Sequence, residues 1–297
     1  MRVLPRAGPL IRRTVAAPLA GAVVATAAST ASAVDGDAPD PLEQAHTHND
    51  HERNRALFDT LDHGFGSVEA DVWLVDGELL VAHDADELEP DRTLESLYLD
   101  PLHDIVRGND GAVYPEWGGS LRLVIDIKSP AGATYAEVHR MLRRYRDMLT
   151  TYVGDQVAPG AVTVVISGER PLETMLAQPV RYAGYDGRFS DLDRRLPAGF
   201  MPMVSENWNK HFTWQGVGPM PEAERAKLSA MVEQAHAAGT RVRFYATPDL
   251  PAPARQVLWR ELLAAGVDYL NTDDITGLQQ FLTSGPTTSL APDAGFH

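Results

Sequence analysis

Cysteine does not occur in the 297-residue chain. Its absence excludes disulfides, thiolate-ligated metals and a cysteine nucleophile together. Basic residues are also scarce. Lys and Arg number 26 against 41 Asp and Glu, a formal net charge of -15. Such a chain repels phosphate backbones, which argues against nucleic-acid binding. No glycine-rich loop of the G-x-G-x-x-G kind is present, which argues against a dinucleotide-binding fold. The apolar stretch from Thr14 to about Ala28 is interrupted by Pro18 and Gly21 and is short for a membrane span.

That stretch reads instead as the centre of a secretory leader. Arg2, Arg6, Arg12 and Arg13 precede it, and Ala31-Ser32-Ala33 follows with the small residues of a cleavage site. The expectation is a signal peptide over 1–33, cleavage near Ala33 and a secreted product, with Arg12-Arg13 compatible with a twin-arginine route. The leader carries no acid, so the mature chain is more acidic still. Residues 34–41 read as a flexible lead-in, 42–283 as one folded domain and 284–297 as a disordered tail.

Within the domain, short apolar runs alternate with helical patterns. Strands are expected at Leu42–His46, Ser67–Val75, Leu79–His83, Leu121–Lys128, Ala161–Ser167, Val180–Tyr185, Phe200–Ser205, Arg241–Ala246 and Val267–Asn271. Runs such as LRLVIDIK and AVTVVIS are apolar almost throughout, as in strands covered on both faces. Helices are expected at Arg53–His63, Tyr135–Tyr152, Pro221–Ala238, Pro251–Ala265 and Ile275–Leu282. About eight strand–helix units in a chain this long predict a (β/α)8 TIM barrel, with the 84–120 stretch overhanging one rim.

In such a barrel the chemistry lies at the carboxyl ends of the strands. Strand one ends at His46, with Thr47, His48, Asn49 and Asp50 following. Glu69 and Asp71 lie two apart on strand two and so face the same side. His83-Asp84 follows the next hairpin, and Asp126 and Lys128 share a face of the third barrel strand. Three carboxylates in one mouth repel each other, and a hard divalent cation, Mg2+ or Ca2+, relieves that repulsion with oxygen ligands alone. Two histidines beside it suit acid and base roles. Asn207 and Asp273 are candidate substrate contacts. Trp208 and Tyr245, together with Trp73, Trp117 and Trp214, are placed near rim loops, where a choline-like cation could stack, although core packing is the plainer role for the tryptophans.

The segments Ala45-His46, Ser67-Val-Glu-Ala-Asp71, Leu80-Val-Ala-His83-Asp84 and Ile125-Asp-Ile-Lys128 resemble the PI-specific phospholipase C / glycerophosphodiester phosphodiesterase superfamily. His46-Thr-His-Asn-Asp50, Asp71-Val-Trp-Leu-Val-Asp-Gly77, the 92–101 stretch and the 207–214 stretch are similar to its altered-inheritance-of-mitochondria branch. The resemblance implies a single-domain PLC-like phosphodiesterase barrel. It implies Glu69, Asp71 and Asp126 as ligands of one divalent cation, His46 and His83 as the acid/base pair, and Lys128 as a phosphate contact. The first motif is A-H-T-H-N-D and not A-H-R-G, so His48 stands as the alternative to His46. The expected function is a secreted, divalent-metal phosphodiesterase acting on glycerophosphodiesters or phospholipid head groups. It is expected to be a monomer that binds a small phosphodiester or phospholipid, with at most transient membrane contact. Two other readings compete: an H-x-H multinuclear metal hydrolase of amidohydrolase or polymerase-and-histidinol-phosphatase type, and a phosphoester-binding barrel without turnover.

Overall fold

The structure, a computed structural model, describes residues 39–284 apart from 195, 197–198 and 250–252. The expected leader, most of the lead-in and all but the first residue of the expected tail lie outside the described residues. The apolar runs become strands β1 (Leu42–Thr47), β2 (Phe65–Val75), β3 (Glu78–Val81), β4 (Leu121–Ile127), β5 (Thr151–Val153), β6 (Gln156–Ala158), β7 (Val162–Gly168), β8 (Val180–Arg181), β9 (Ala183–Gly187), β10 (Met203–Asn207), β11 (Arg241–Tyr245) and β12 (Tyr269–Thr272). Eight of them, β1, β2, β4, β7, β9, β10, β11 and β12, pair in parallel, and β1–β2 pairing closes the ring. The expected TIM barrel is therefore the fold.

Its interior is filled, not hollow. Val124, Val165, Met203 and Tyr269 form a separate buried cluster contributed by four strands, the packed-layer arrangement of such barrels. Outside the ring lie α1 (Phe58–Asp62), α2 (Asp100–Gly108), α3 (Ala131–Leu142), α4 (Leu172–Ala177), α5 (Trp208–His211), α6 (Glu222–Ala237), α7 (Pro253–Ala264) and α8 (Ile275–Thr283). Each of the long ones buries one stripe. Leu228, Val232 and Ala235 of α6 and Leu258, Trp259 and Leu262 of α7 pack inward at helical spacing.

Strand β2 serves two structures. Its first part, through Val72, pairs with β1 and β4, while Trp73–Val75 leave the ring and, with Val72, pair antiparallel with β3. Asp76 and Gly77 make the turn, both at positive φ, which suits the twist of a two-residue hairpin. This hairpin carries His83 back over the mouth.

Three expectations change. The helix expected over 135–152 ends at Leu142 with a further turn to Tyr145, and Thr151–Val153 pairs with β6 and β8 in a small separate antiparallel sheet. The aromatic and β-branched residues of Thr151-Tyr152-Val153 favour that pairing over continued helix. Of the helix expected over 53–63, only α1 forms. The 84–120 stretch does not overhang one rim but descends the barrel wall. Arg92 donates to the His51 carbonyl at the carboxyl end, and Tyr114 donates to the Phe65 carbonyl, 2.8 Å away, at the amino end.

Candidate active site

The barrel registers bring polar side chains from five strands together. His46 lies opposite Ser67 on one side and Asn271 on the other, and Ser205 lies opposite Arg243. Arg243 is the hub. Its Nη1 donates to Glu69 Oε2, to His46 Nε2 (2.6 Å) and to Asn271 Oδ1 (3.2 Å), and its Nε donates to Ser205 Oγ (3.0 Å). A guanidinium can only donate, so His46 Nε2 carries the lone pair and Nδ1 carries the proton, which it gives to Ser67 Oγ at 2.7 Å. Burial, then the Arg243 charge, push His46 down to about 4 despite the neighbouring carboxylate. His46 is thus a neutral, fully buried imidazole with both nitrogens occupied. Burial works against the charge on Glu69, but the Arg243 charge outweighs it and holds the carboxyl well below the usual range.

One level higher stand the other two carboxylates. Asp71 lies opposite Asp126 in the β2–β4 register, and Asp126 lies opposite Ser167. One oxygen from each of Glu69, Asp71 and Asp126 falls within 4.8 Å of the others. Burial and the Glu69 charge raise Asp71 and push Asp126 up to about 7. Lys128 Nζ lies 3.2 Å from Asp71 Oδ2 and 3.6 Å from Asp126 Oδ2. Room for the Asp126 carboxylate depends on Gly168, which sits at φ +66°. A Cβ there would meet Asp126 Oδ1 at 2.0 Å and the Ile127 carbonyl at 2.3 Å.

Two histidines face this cluster from the rim, each held by an aspartate. His83 Nδ1 lies 2.8 Å from Asp71 Oδ2, and its side chain is 43% exposed. His48 Nδ1 lies 2.9 Å from Asp273 Oδ1, its Nε2 stands 4.0 Å from Glu69 Oε1, and its side chain is 29% exposed. In both, the aspartate takes the Nδ1 proton and leaves Nε2 to the mouth. Burial works against the charged form of His48, but the Asp273 hydrogen bond and the Glu69 charge outweigh it and raise its pKa.

An AIM6-like phosphodiesterase domain matches residues 40–186, and the glycerophosphoryl diester phosphodiesterase family matches residues 241–276. Altered inheritance of mitochondria protein 6 of Eremothecium gossypii is 30% identical over 280 residues, covering 81% of this chain and 69% of that protein. The chain belongs to the altered inheritance of mitochondria protein 6 family. A homologue from Arthroderma benhamiae is 27% identical over 265 residues, 80% of this chain and 82% of that one. A solved glycerophosphoryl diester phosphodiesterase from Parabacteroides distasonis superposes with a TM-score of 0.48 at 14% identity, over 83% of this chain and 88% of that chain. The family model thus assigns the barrel a phosphodiesterase-type domain.

The other residues singled out in the sequence scatter. Tyr245 is half-buried, with Arg188 and Arg243 each 5.9 Å from its ring. Asn207 caps α5, accepting from the Asn209 amide at 2.9 Å. Trp208 does not face the mouth. It is fully buried, stacks on Phe212 at 4.1 Å and donates to the Trp214 carbonyl. The reason lies in the helical step after Asn207, which turns the indole into the aromatic core with Phe244. Trp117 lies at the opposite end of the barrel, beside Gly66 and Tyr269. Arg243, Ser67, Ser205 and Gly168 are the site residues that the sequence reading passed over.

The carboxylate cluster suits a divalent cation on this structure's own terms. Asp71 Oδ1 is buried with no hydrogen-bond partner among the described residues, and two of the three carboxyls are held against ionisation by burial and by the Glu69 charge. A doubly charged oxygen-seeking ion reverses both penalties. Among the described residues, the group placed to hold an ion is made of carboxylates alone. The H-x-H multinuclear centre is not assembled: His46 turns to Ser67 and His48 to Asp273, while His103 and His236 pair with Asp147 and Asp268 elsewhere.

Proposed function

We propose that the chain is a divalent-metal-dependent phosphodiesterase acting on glycerophosphodiesters or phospholipid head groups, with His48 and His83 as its acid/base pair. The observation that carries this reading is the flanking of one three-carboxylate cluster by two aspartate-held histidines, each leaving Nε2 towards the mouth. Glu69, Asp71 and Asp126 would hold the cation, Mg2+ or Ca2+. When bound, that cation neutralises charge on the phosphate oxygens.

The chain's own residues then have distinct tasks. Lys128 presents an ammonium at the edge of the cluster to a further phosphate oxygen. One of the two rim histidines takes the proton of the attacking hydroxyl, and the other gives a proton to the leaving oxygen. Asp71 and Asp273 fix the tautomer and orientation of each ring. Geometry favours His48 over His46, because His46 is sealed beneath Glu69 with both nitrogens engaged. Arg243, braced by His46, instead holds Glu69 in place. The leader and the acidic charge support export and a monomer that meets membranes only briefly, with a small phosphodiester as its partner.

The test is a panel of phosphodiesters followed by phosphorus NMR, with and without EDTA. Hydrolysis should require a divalent cation. His48→Ala and His83→Ala should each lower kcat by about 10²- to 10⁴-fold without shifting the unfolding midpoint. His46→Ala should lower the midpoint as well. Full activity in His83→Ala would sink the acid/base assignment. Tight phosphodiester binding without product under every metal would leave a binding barrel.

A further inference from the structure

At the amino-terminal end of the barrel, opposite the histidines, lies a cavity of about 140 Å³. Two arginines line it. Arg122 of β4 is about nine-tenths buried, and Arg241 of β11 stands beside it. Neither makes an ion pair with the described residues. The Arg122 guanidinium donates to none of them either, and its Nε is buried without a partner. Its one evident contact is the face of Tyr269, 4.7 Å away. Arg241 Nη1 donates to the Tyr269 hydroxyl at 3.0 Å.

In a chain with 15 more acids than bases, a buried guanidinium that faces a second arginine and is unpaired among the described residues is conspicuous. Residues at this end of such barrels ordinarily serve stability. A floor built for stability alone would pair the charge or dispense with it, since an aromatic face compensates a guanidinium less fully than a hydrogen-bonded anion does. Burial, then the Arg241 charge, push Arg122 down to about 10, so it stays charged at neutral pH. The walls are shaped for space. Trp117 lies flat over Gly119, where a Cβ would meet the indole at 2.2 Å, and Gly66 lets the Glu43 backbone approach where a Cβ would meet its Cα at 2.8 Å. The cavity holds several waters' worth of space, enough for one tetrahedral oxyanion. Glu43 is the single acid in its lining, so the balance there stays positive.

We infer that this cavity is a binding site for a small oxyanion of the phosphate class, clasped by Arg122 and Arg241 with Ser120 and the Tyr269 hydroxyl at its edge. Its source is a phosphate-type ion from solution. The site is separate from the mouth, and the inference stands independently of the proposed activity.

Calorimetric titration of the full chain with inorganic phosphate, in EDTA and at fixed ionic strength set with chloride, tests it. The unaltered chain should bind one phosphate that Lys128→Met, in the mouth, leaves in place. Arg241→Gln should weaken binding about tenfold or more, the loss of a charge-assisted hydrogen bond. Arg122→Met should abolish it while leaving the unfolding midpoint in chloride unchanged or higher, because the substitution removes an unpaired buried charge. If Arg122→Met folds poorly, Arg241→Gln carries the test. Binding lost in Lys128→Met and kept in both arginine variants, or binding in no variant at all, would overturn the inference.

Discussion

Arg243 shows how one side chain settles the protonation of its neighbours. Its side chain and that of Glu69 are 3% and 4% exposed, and each compensates the other's buried charge. Arg243→Met should therefore destabilise the metal-free protein by about 3–5 kcal/mol, the usual cost of leaving a buried charge unpaired. Urea unfolding in EDTA measures it, and the Arg243→Met/Glu69→Gln double variant should recover much of the loss. Arg243 was legible in principle. A charge inside a strand covered on both faces demands a partner, the same argument that singles out Glu69. The alternation of RVRFY resembles a half-exposed strand, however, and hides it. His51 is a second residue-scale case. It is buried with neither ring nitrogen partnered, and burial, then the nearby His83, push it down to about 4. A histidine depressed in the fold contributes stability fully above its unfolded value of 6.5, and that contribution is lost as pH falls towards 4. The loss amounts to about 3 kcal/mol at most. His51→Phe, which leaves no polar atom unpaired, should be no less stable than the parent at pH 7.5 and should flatten the fall in urea midpoint between pH 6.5 and 4. His46 titrates in the same window, so part of the slope remains. An unchanged slope would remove His51 from the account.

At the scale of the element, the H-T-H-N-D string is two devices in sequence. His48 leaves β1 for the rim, whereas Asp50 is a buried knot that builds the segment supporting it. Its carboxylate accepts from the Leu57 amide (2.6 Å), the Thr60 hydroxyl and the Tyr98 hydroxyl (2.9 Å). Leu57 sits at φ +65°, a conformation costly for a branched side chain, and Asp50 is the group that holds it there. This is why the helix expected from Arg53 starts only at Phe58. The spacing of Leu57, Phe58 and Leu61 gives the right periodicity, but a carboxylate seven residues upstream captures the Leu57 amide. No local pattern reveals a partner of that kind. Asp50→Ala should cost at least about 3 kcal/mol, since three buried donors lose their acceptor. It should also loosen His48, lowering kcat beyond what stability explains. Urea unfolding combined with activity at a temperature where the variant remains folded separates the two effects. Asp50→Ala with parental stability would show that the knot holds nothing.

For the whole molecule, the barrel was legible because parallel strands covered on both sides are written as continuous apolar runs, and LRLVIDIK and AVTVVIS become β4 and β7 with little shift. The small antiparallel sheet was not, because its strands are two or three residues long and partly exposed, too short for a period to register. Trp208 was misplaced for a related reason: position after a strand end does not say which way the next helical step turns. What the fold does dictate is that its carboxylates meet, and that meeting has a consequence for global stability. Glu69, Asp71 and Asp126 repel one another without a cation, and the cation proposed to relieve them would bind the folded chain alone. A cation at about 100 times its Kd stabilises by about 2.7 kcal/mol, which for a domain of this size raises Tm by about 5–10 °C. Asp126→Asn removes one of the repelling charges and one ligand at once, while its contact with Lys128 is long and partly exposed, worth little. The two chains should therefore cross. In EDTA the Asp126→Asn protein should melt above the parent, and with saturating Mg2+ or Ca2+ it should melt below, having gained little. Differential scanning calorimetry of both chains in both conditions reads the crossing directly. Equal shifts in the two chains would mean that the cation binds elsewhere, and a lower melting point for Asp126→Asn in EDTA would mean that the carboxylates are not in conflict.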